Sequence, residues 1–195
     1  MEPLAARLHA RIYTRYNKVW IPDFEDPEQS LAGELSHPTQ LSIINYQLSI
    51  LEYIGPLSRF SKEIPSTPST PNTPKYDIVA VLSGLEPQRT LLEKEIIERY
   101  QDSTQSVLLV QGLMHRPNTR IKRGKITIVP HMNDVELGAA LLGAKHIIAR
   151  SGYSTIMDLH ALGVLEKAEL IPTPGQPEQE YLAHYIAQKT QKNAK

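Results

Sequence analysis

The chain has 195 residues, 41% of them hydrophobic and 22% charged, with 21 basic residues balanced by 21 acidic ones. That length suits one large domain or one domain with a smaller partial one, and the charge balance excludes a global basic field of the kind that gathers nucleic acid. The absence of cysteine excludes disulfides, thiolate metal sites and a cysteine nucleophile, and no apolar run approaches the roughly 18–20 residues that a membrane-spanning helix needs.

The N-terminus lacks the continuous apolar core of a signal peptide. Leu4, Leu8, Ile12 and Tyr16 recur at helical spacing, with Arg7, Arg11 and Arg15 on another face. A packed surface helix and a helix lying on a membrane surface both fit this pattern. A cytoplasmic protein is expected, with peripheral contact at the inner face of the membrane as the second reading. Residues 18–24 (KVWIPDF) read as a strand, 30–38 as a loop, and 50–60 as a strand running into a Gly-Pro turn. Residues 61–75 contain IPSTPSTPNTPK, with prolines at 65, 68, 71 and 74. That is the three-residue repeat of a polyproline II helix, and so polar a segment has little to bury. It reads as a linker or loop.

From residue 76 to 190 the pattern becomes regular. Strands are expected over 77–83, 106–111, 125–130, 146–149 and 168–172. Helices are expected over 89–100, over 133–144 with Asn133 or Asp134 as a start signal, within the stretch 149–163, and over 177–189 with Pro177 in the first turn. Continuously apolar strands alternating with helices indicate an α/β fold, a parallel sheet covered on both faces. The segment between the second and third of these strands is short for a helical crossover. Residues 191–195 form a tail.

In open parallel sheets, ligands bind beyond the carboxyl ends of the strands, and three stretches fall there. In SGLEPQRT (83–90), Ser83 and Gly84 leave a strand tightly, and Arg89 follows near a helix N-terminus, where a cation is disfavoured by roughly 0.3–1 kcal/mol. A bound anion would offset that cost, and a plain turn with a solvated arginine fits equally. In ARSGYSTIMDLHALG (149–163), Ser151, Gly152, Ser154 and Thr155 offer hydroxyl and backbone N–H groups at a helix start, a natural anion site. Asp158 has two readings: a capping box with Thr155, or a carboxylate accepting hydrogen bonds from a ribose. In PTPGQPEQEY (172–181), Pro174 and Gly175 turn the chain and acids fill a first helical turn, which suits the helix dipole without any ligand. Gln179 and Glu180 are nevertheless expected to point into the same cleft as Asp158, where such acceptors suit sugar hydroxyls.

Other constellations are missing. There is no G-x-S-x-G, no H-E-x-x-H and no D-x-D. No metal site and no other cofactor is expected. Of the seven histidines, only His37 and His131 stand in suggestive loops.

In order and spacing, these stretches resemble the C-terminal half of GT-B glycosyltransferases, specifically the family 28 C-terminal domain. That family includes the N-acetylglucosaminyltransferase that completes the lipid-linked peptidoglycan precursor. The resemblance covers residues 76–190, and RSGYSTIMDLHALG followed by IPTPGQPEQEYLA is its most specific part. The upstream pieces IPDF, LAGELSHP and YIGPLSRF look like those of a bacterial group related to that family.

The resemblance implies a Rossmann-like domain over 76–190 that binds a UDP-sugar, with residues 1–60 a remnant of the N-terminal, acceptor-side domain. It implies Ser83, Gly84 and Arg89 near the diphosphate, and Ser151, Gly152 and Ser154 at a second phosphate-facing helix start. Asp158 stands where the family usually has a ribose-binding glutamate, one methylene longer. Gln179 occupies the first of two glutamine positions that touch the donor sugar, Glu180 replaces the second, and His131 and Met132 frame the base. The implied reaction is hexosyl transfer to an unknown acceptor, with the general base unassigned. Residues 1–60 are too few to supply an N-terminal domain, so the chain is expected to be a fragment or one subunit of a split transferase, with a partner or self-association through 1–60. UDP-sugar 2-epimerases share this fold and form one alternative; a non-catalytic nucleotide-sugar-binding module is the other.

Overall fold

The computed structural model describes residues 16–37, 50–60 and 75–193. The expected N-terminal helix and nearly all of the proline-rich segment lie outside these. The chain divides into two compact units between Leu57 and Ser58, a little before the boundary expected at residue 60.

In the first unit, β1 (Val19–Ile21) pairs in parallel with β2 (Leu51–Tyr53). The loop after β1 is organised by one carboxylate. Asp23 is fully buried, and it accepts hydrogen bonds from the hydroxyls of Ser30 and Ser36, both at 2.6 Å, and from the backbone N–H groups of Phe24, Leu31 and Ala32. Burial pushes its pKa up, but the bonds from Ser30, Ser36 and the backbone outweigh this and leave it lowered. His37, singled out from its loop, stacks on Tyr53 with ring centres 4.7 Å apart and meets the Ser36 hydroxyl through Nδ1 at 2.9 Å. It belongs to the scaffold around Asp23.

The second unit is a six-stranded sheet in the order β5-β6-β4-β3-β7-β8. Its elements are β3 (Ile78–Val81), α1 (Gln88–Tyr100), β4 (Val107–Val110), β5 (Ile121–Arg123), β6 (Ile126–Val129), α2 (Asp134–Gly143), β7 (His146–Arg150), α3 (Tyr153–Ala161), β8 (Ala168–Ile171) and α4 (Pro177–Asn193). All pairings are parallel except that of β5 with β6. This is a Rossmann-like α/β fold, as the alternating pattern predicts. The short segment between β4 and β6 holds no helix. It carries the extra strand β5, which returns antiparallel as a hairpin through Gly124 at φ 58°.

Both faces of the sheet are covered, and the strand alternation sorts the core. Val79, Leu108 and Val110 face one side with Leu137 and Leu141 of α2 and Leu159 of α3. Ile78, Ala80, Val107 and Leu109 face the other with Leu92 and Ile96 of α1. Phe60, 5% exposed, joins the first cluster, so residues 58–60 belong to this unit. Burying a side chain of that size contributes roughly 1.5–3 kcal/mol. The helix starts follow the sequence signals in part: Asn133 caps α2 by accepting the Glu136 N–H at 2.8 Å. No described helix is long and apolar enough to cross a membrane.

The edges carry ion pairs that tie the fold to pH. Asp77 accepts from Lys145 Nζ at 2.7 Å and from the Ser106 N–H and hydroxyl, and these partners, Lys145 first, hold its pKa well below the usual carboxylate range. A carboxylate with a folded pKa below its unfolded one contributes stability above the unfolded value and loses it as pH falls through the folded value. Asp23 in the first unit and Asp77 in the second both have this sign. Acidification below about pH 4 is therefore expected to destabilise both units. Fluorescence of Trp20, the single tryptophan, follows the first unit, and far-UV circular dichroism follows the helices. Denaturant midpoints unchanged from neutral pH down to about pH 2.5 would contradict this assignment.

Candidate functional site

Strand order places one cleft apart from the rest. Taken in chain order, the parallel strands run outward from β3 through β4 to β6, then resume on the other side of β3 with β7 and β8. The switch point lies between β3 and β7, where successive connections leave toward opposite edges and a crevice opens past the carboxyl ends of the strands. A pocket of about 300 Å³ lies there. Ser83 and Gly84 line it from the end of β3, Gly112 and Met114 from the end of β4, and His131 and Met132 from the end of β6. Thr155 and Asp158 of α3 and the segment Arg59-Phe60 close it.

Two glycines shape the mouth. Gly84 has φ 97°, a conformation that side chains rarely adopt. Gly112 has φ 73°, and a Cβ there would sit 2.5 Å from the Leu82 carbonyl oxygen. The backbones leaving β3 and β4 therefore converge at the pocket because residue 112 has no side chain.

The helix start expected in the stretch from 149 to 163 is present but shifted. The N-cap of α3 is Gly152, with no side-chain cap. Thr155 is the third helical residue and Asp158 lies in the second turn, so the capping-box reading and the first-turn carboxylate are both corrected. Asp158 is 8% exposed. It accepts the Ser58 hydroxyl at 2.7 Å, the Arg59 N–H at 3.2 Å and Arg59 Nε at 2.8 Å. Its register explains this: three residues beyond Thr155, it stands on the face of α3 that lines the pocket. Arg59 reaches on to Asp134, with Nη1 3.7 Å from Oδ1. Ser58 and Arg59 were not singled out in the sequence, and no local signal marks a pairing across about a hundred residues.

Other predicted residues have different tasks. Arg89 is 7% exposed and is held by Glu86, by Glu93 at 2.8 Å and by the Thr90 hydroxyl. Burial pulls its pKa down, and the two glutamates more than compensate. The anion offsetting its place at a helix start thus comes from the chain itself, and Arg89 does not line the cleft. Ser151 is fully buried and donates to the Gln179 carbonyl at 2.8 Å. Ser154 is exposed, and neither it nor Gly152 lines the pocket. Gln179 accepts the Thr173 N–H through Oε1, and Glu180 accepts the Gly175 N–H. The expectation that both point into the cleft with Asp158 is corrected: their acceptors tie down the 173–176 turn that begins α4.

His131 meets the Arg116 carbonyl through Nε2 at 3.2 Å, which fixes its ring at the pocket wall. Among the described residues, no group of His, Asp or Glu is arranged to hold a metal ion. The pocket therefore offers the hydroxyls of Ser83 and Thr155, the Asp158 carboxylate, an imidazole and an apolar floor of Val81, Val110, Leu137 and Ile147. Such a mixture suits a polar, anionic ligand with a flat or apolar part.

No protein-family model matches the chain, and no curated protein matches it in sequence. Among solved structures, the chain is similar to the glycosyltransferase SnogD from Streptomyces nogalater, at 15% sequence identity and a TM-score of 0.34. That likeness covers 70% of this chain and 42% of the other, so the chain spans under half the length of that protein. The likeness is slight, and the Rossmann-like fold stands on its own strand order and pairing.

Proposed function

We propose that the second unit is the donor-binding domain of a GT-B glycosyltransferase of the family 28 type, taking a UDP-sugar in the cleft between β3 and β7. The observation that supports it most is the pocket at the switch point, lined by Ser83, Gly84, His131, Met132 and Asp158, five of the residues the sequence resemblance implies for the donor. In this reading the diphosphate lies against the β3 turn at Ser83 and Gly84 and the Thr155 hydroxyl in the first turn of α3, whose hydrogen bonds and helix dipole stabilise the leaving diphosphate as its bond to the sugar breaks. The acceptor oxygen forms the new bond at the anomeric carbon and gives its proton to a base outside residues 76–190. That base and the acceptor site are supplied from outside the second unit, by further chain, by a partner subunit or by self-association through residues 1–60. Nucleic acid is no partner, and no metal takes part.

The test is calorimetric titration of the whole chain with UDP. Saturable binding is expected, weakened roughly 2- to 10-fold in Ser83→Ala and in His131→Ala, the loss of about one hydrogen bond each. No saturation at millimolar UDP, from a chain with native circular dichroism, would sink the reading.

A second reading has one observation in its favour. Gln179 and Glu180, implied to hold the donor sugar, spend their acceptors on backbone N–H groups of the 173–176 turn. That favours a nucleotide-binding module without turnover. Equal affinity for UDP and for UDP-hexoses, with no sugar released or transferred, would select it.

A further inference from the structure

A second pocket, also about 300 Å³, lies on the α1 side of the sheet, between that helix and the β5–β6 hairpin. Half of its lining is apolar: Ile97 of α1, Ile121 and Ile128 of the hairpin, and Pro117 and Pro130 of the adjoining loops. Two cations stand in this wall, Arg116 from the β4–β5 loop and Arg123 from β5. Among the described residues, neither guanidinium has an ion pair or a hydrogen bond.

The pocket has one acid, Glu93, and its charge is already committed. Oε2 of Glu93 accepts from Arg89 at 2.8 Å, and Oε1 accepts from Gln111 Nε2 at 2.6 Å. The two arginines are therefore uncompensated, and the surrounding stretch 115–125 (HRPNTRIKRGK) adds further basic residues and no acid.

Strand geometry separates this from ordinary protection of a sheet edge by charge. Basic residues on an edge strand deter pairing with other chains whichever face they take. Here Ile121 and Arg123 share one face of β5, opposite Ile128 and Ile126 in the pairing register, and both line the pocket. Lys122, between them, points to the other face. A cation and an apolar side chain are thus turned together onto one cavity of ligand size.

We propose that this pocket is a second ligand site, taking a small phosphomonoester with an apolar body. Two free guanidiniums match the charge of a phosphate dianion and its planar pairs of acceptors, and the isoleucine and proline wall takes the apolar part. The site is separate from the donor cleft: it shares none of that cleft's lining residues, and the contact of His131 with the Arg116 carbonyl links the two walls.

The probe is phenyl phosphate, titrated by calorimetry into the whole chain, with inorganic phosphate and phenol run in parallel. Phenyl phosphate is expected to saturate and to bind at least about fivefold more tightly than inorganic phosphate, from burial of the ring. Arg116→Gln and Arg123→Gln, which keep most of the side-chain stem, are each expected to weaken it roughly 3- to 10-fold. Lys122→Gln, the same charge change on the other face of β5, is expected to leave affinity unchanged, as is Ser83→Ala in the donor cleft. Four results would overturn the proposal: no saturation by a folded chain, equal affinity for inorganic phosphate, equal weakening by Lys122→Gln, or weakening by Ser83→Ala. The third would reveal general attraction to a basic edge, and the fourth binding in the cleft. Thermal unfolding of each variant confirms that a loss of affinity is not a loss of fold.

Discussion

Gly112→Ala is expected to lower the stability of the sheet unit by roughly 2–5 kcal/mol, the largest effect of any single methyl group added here. Two costs add. The residue holds φ 73°, which strains any residue with a Cβ, and the new carbon would lie 2.5 Å from the Leu82 carbonyl oxygen. That neighbour is backbone anchored in the sheet, since the Leu82 N–H donates to the Val110 carbonyl at 2.8 Å, so it has little room to yield. Urea unfolding measures the loss. UDP affinity is expected to fall with it, because moving the chain at Leu82 moves Ser83 and Gly84 as well. Gly84→Ala is the useful comparison: it shares the positive φ but meets nothing within 4 Å, so it is expected to cost only the conformational part, about 1–2 kcal/mol. Equal losses in the two variants would show that the close approach at residue 112 does not matter.

Asp158→Ala is expected to cost roughly 2–4 kcal/mol, because it strips three hydrogen bonds from the segment that enters the unit. The Ser58 hydroxyl, the Arg59 N–H and Arg59 Nε all end on this carboxylate, and Phe60 follows directly into the core. Arg59→Ala is expected to cost less, about 0.5–1.5 kcal/mol, because its guanidinium is half exposed and screened by water. A double-mutant cycle isolates the pair. If Asp158→Ala left stability unchanged while abolishing UDP binding, the carboxylate would be a ligand group alone and its role as an anchor would fall. The structure gives it both positions, bonded to residues 58 and 59 and lining the cleft.

How far such residues are legible in a sequence depends on whether their partners are close in the chain. Asn133 as a helix cap was legible, since its acceptor reaches an N–H three residues on. Asp158 has a local reading, the capping box, that the helix start does not support. The capping box needed Thr155 at the helix start, but the helix begins two residues earlier, and the true partners arrive from the far side of the proline-rich segment. Arg89 is similar. Its unfavourable position at a helix start was readable, while its relief by Glu86 and Glu93 depended on their falling on one side of α1 and its lead-in turn. The resemblance puts Gln179 and Glu180 in the cleft, and the tight 173–176 turn holds them instead through the Thr173 and Gly175 N–H groups.

The sequence by itself determined the layered α/β architecture, the places where strands end, and the small residues at those ends. Each follows from short-range rules: continuous apolar runs make buried strands, 3.6-residue spacing makes helices, and glycine marks turns that other residues resist. Tertiary structure alone decided the strand order, hence the position of the switch point and its cleft, and the hairpin strand β5 in place of a crossover helix. It also decided which polar groups face that cleft. A side chain's direction depends on what packs against it, and a polar group turned inward goes to the nearest partner able to satisfy it. For Arg89, Asp158 and Gln179 those partners lay in the chain itself, leaving Arg116 and Arg123 as the cations at a pocket with no acid free to meet them.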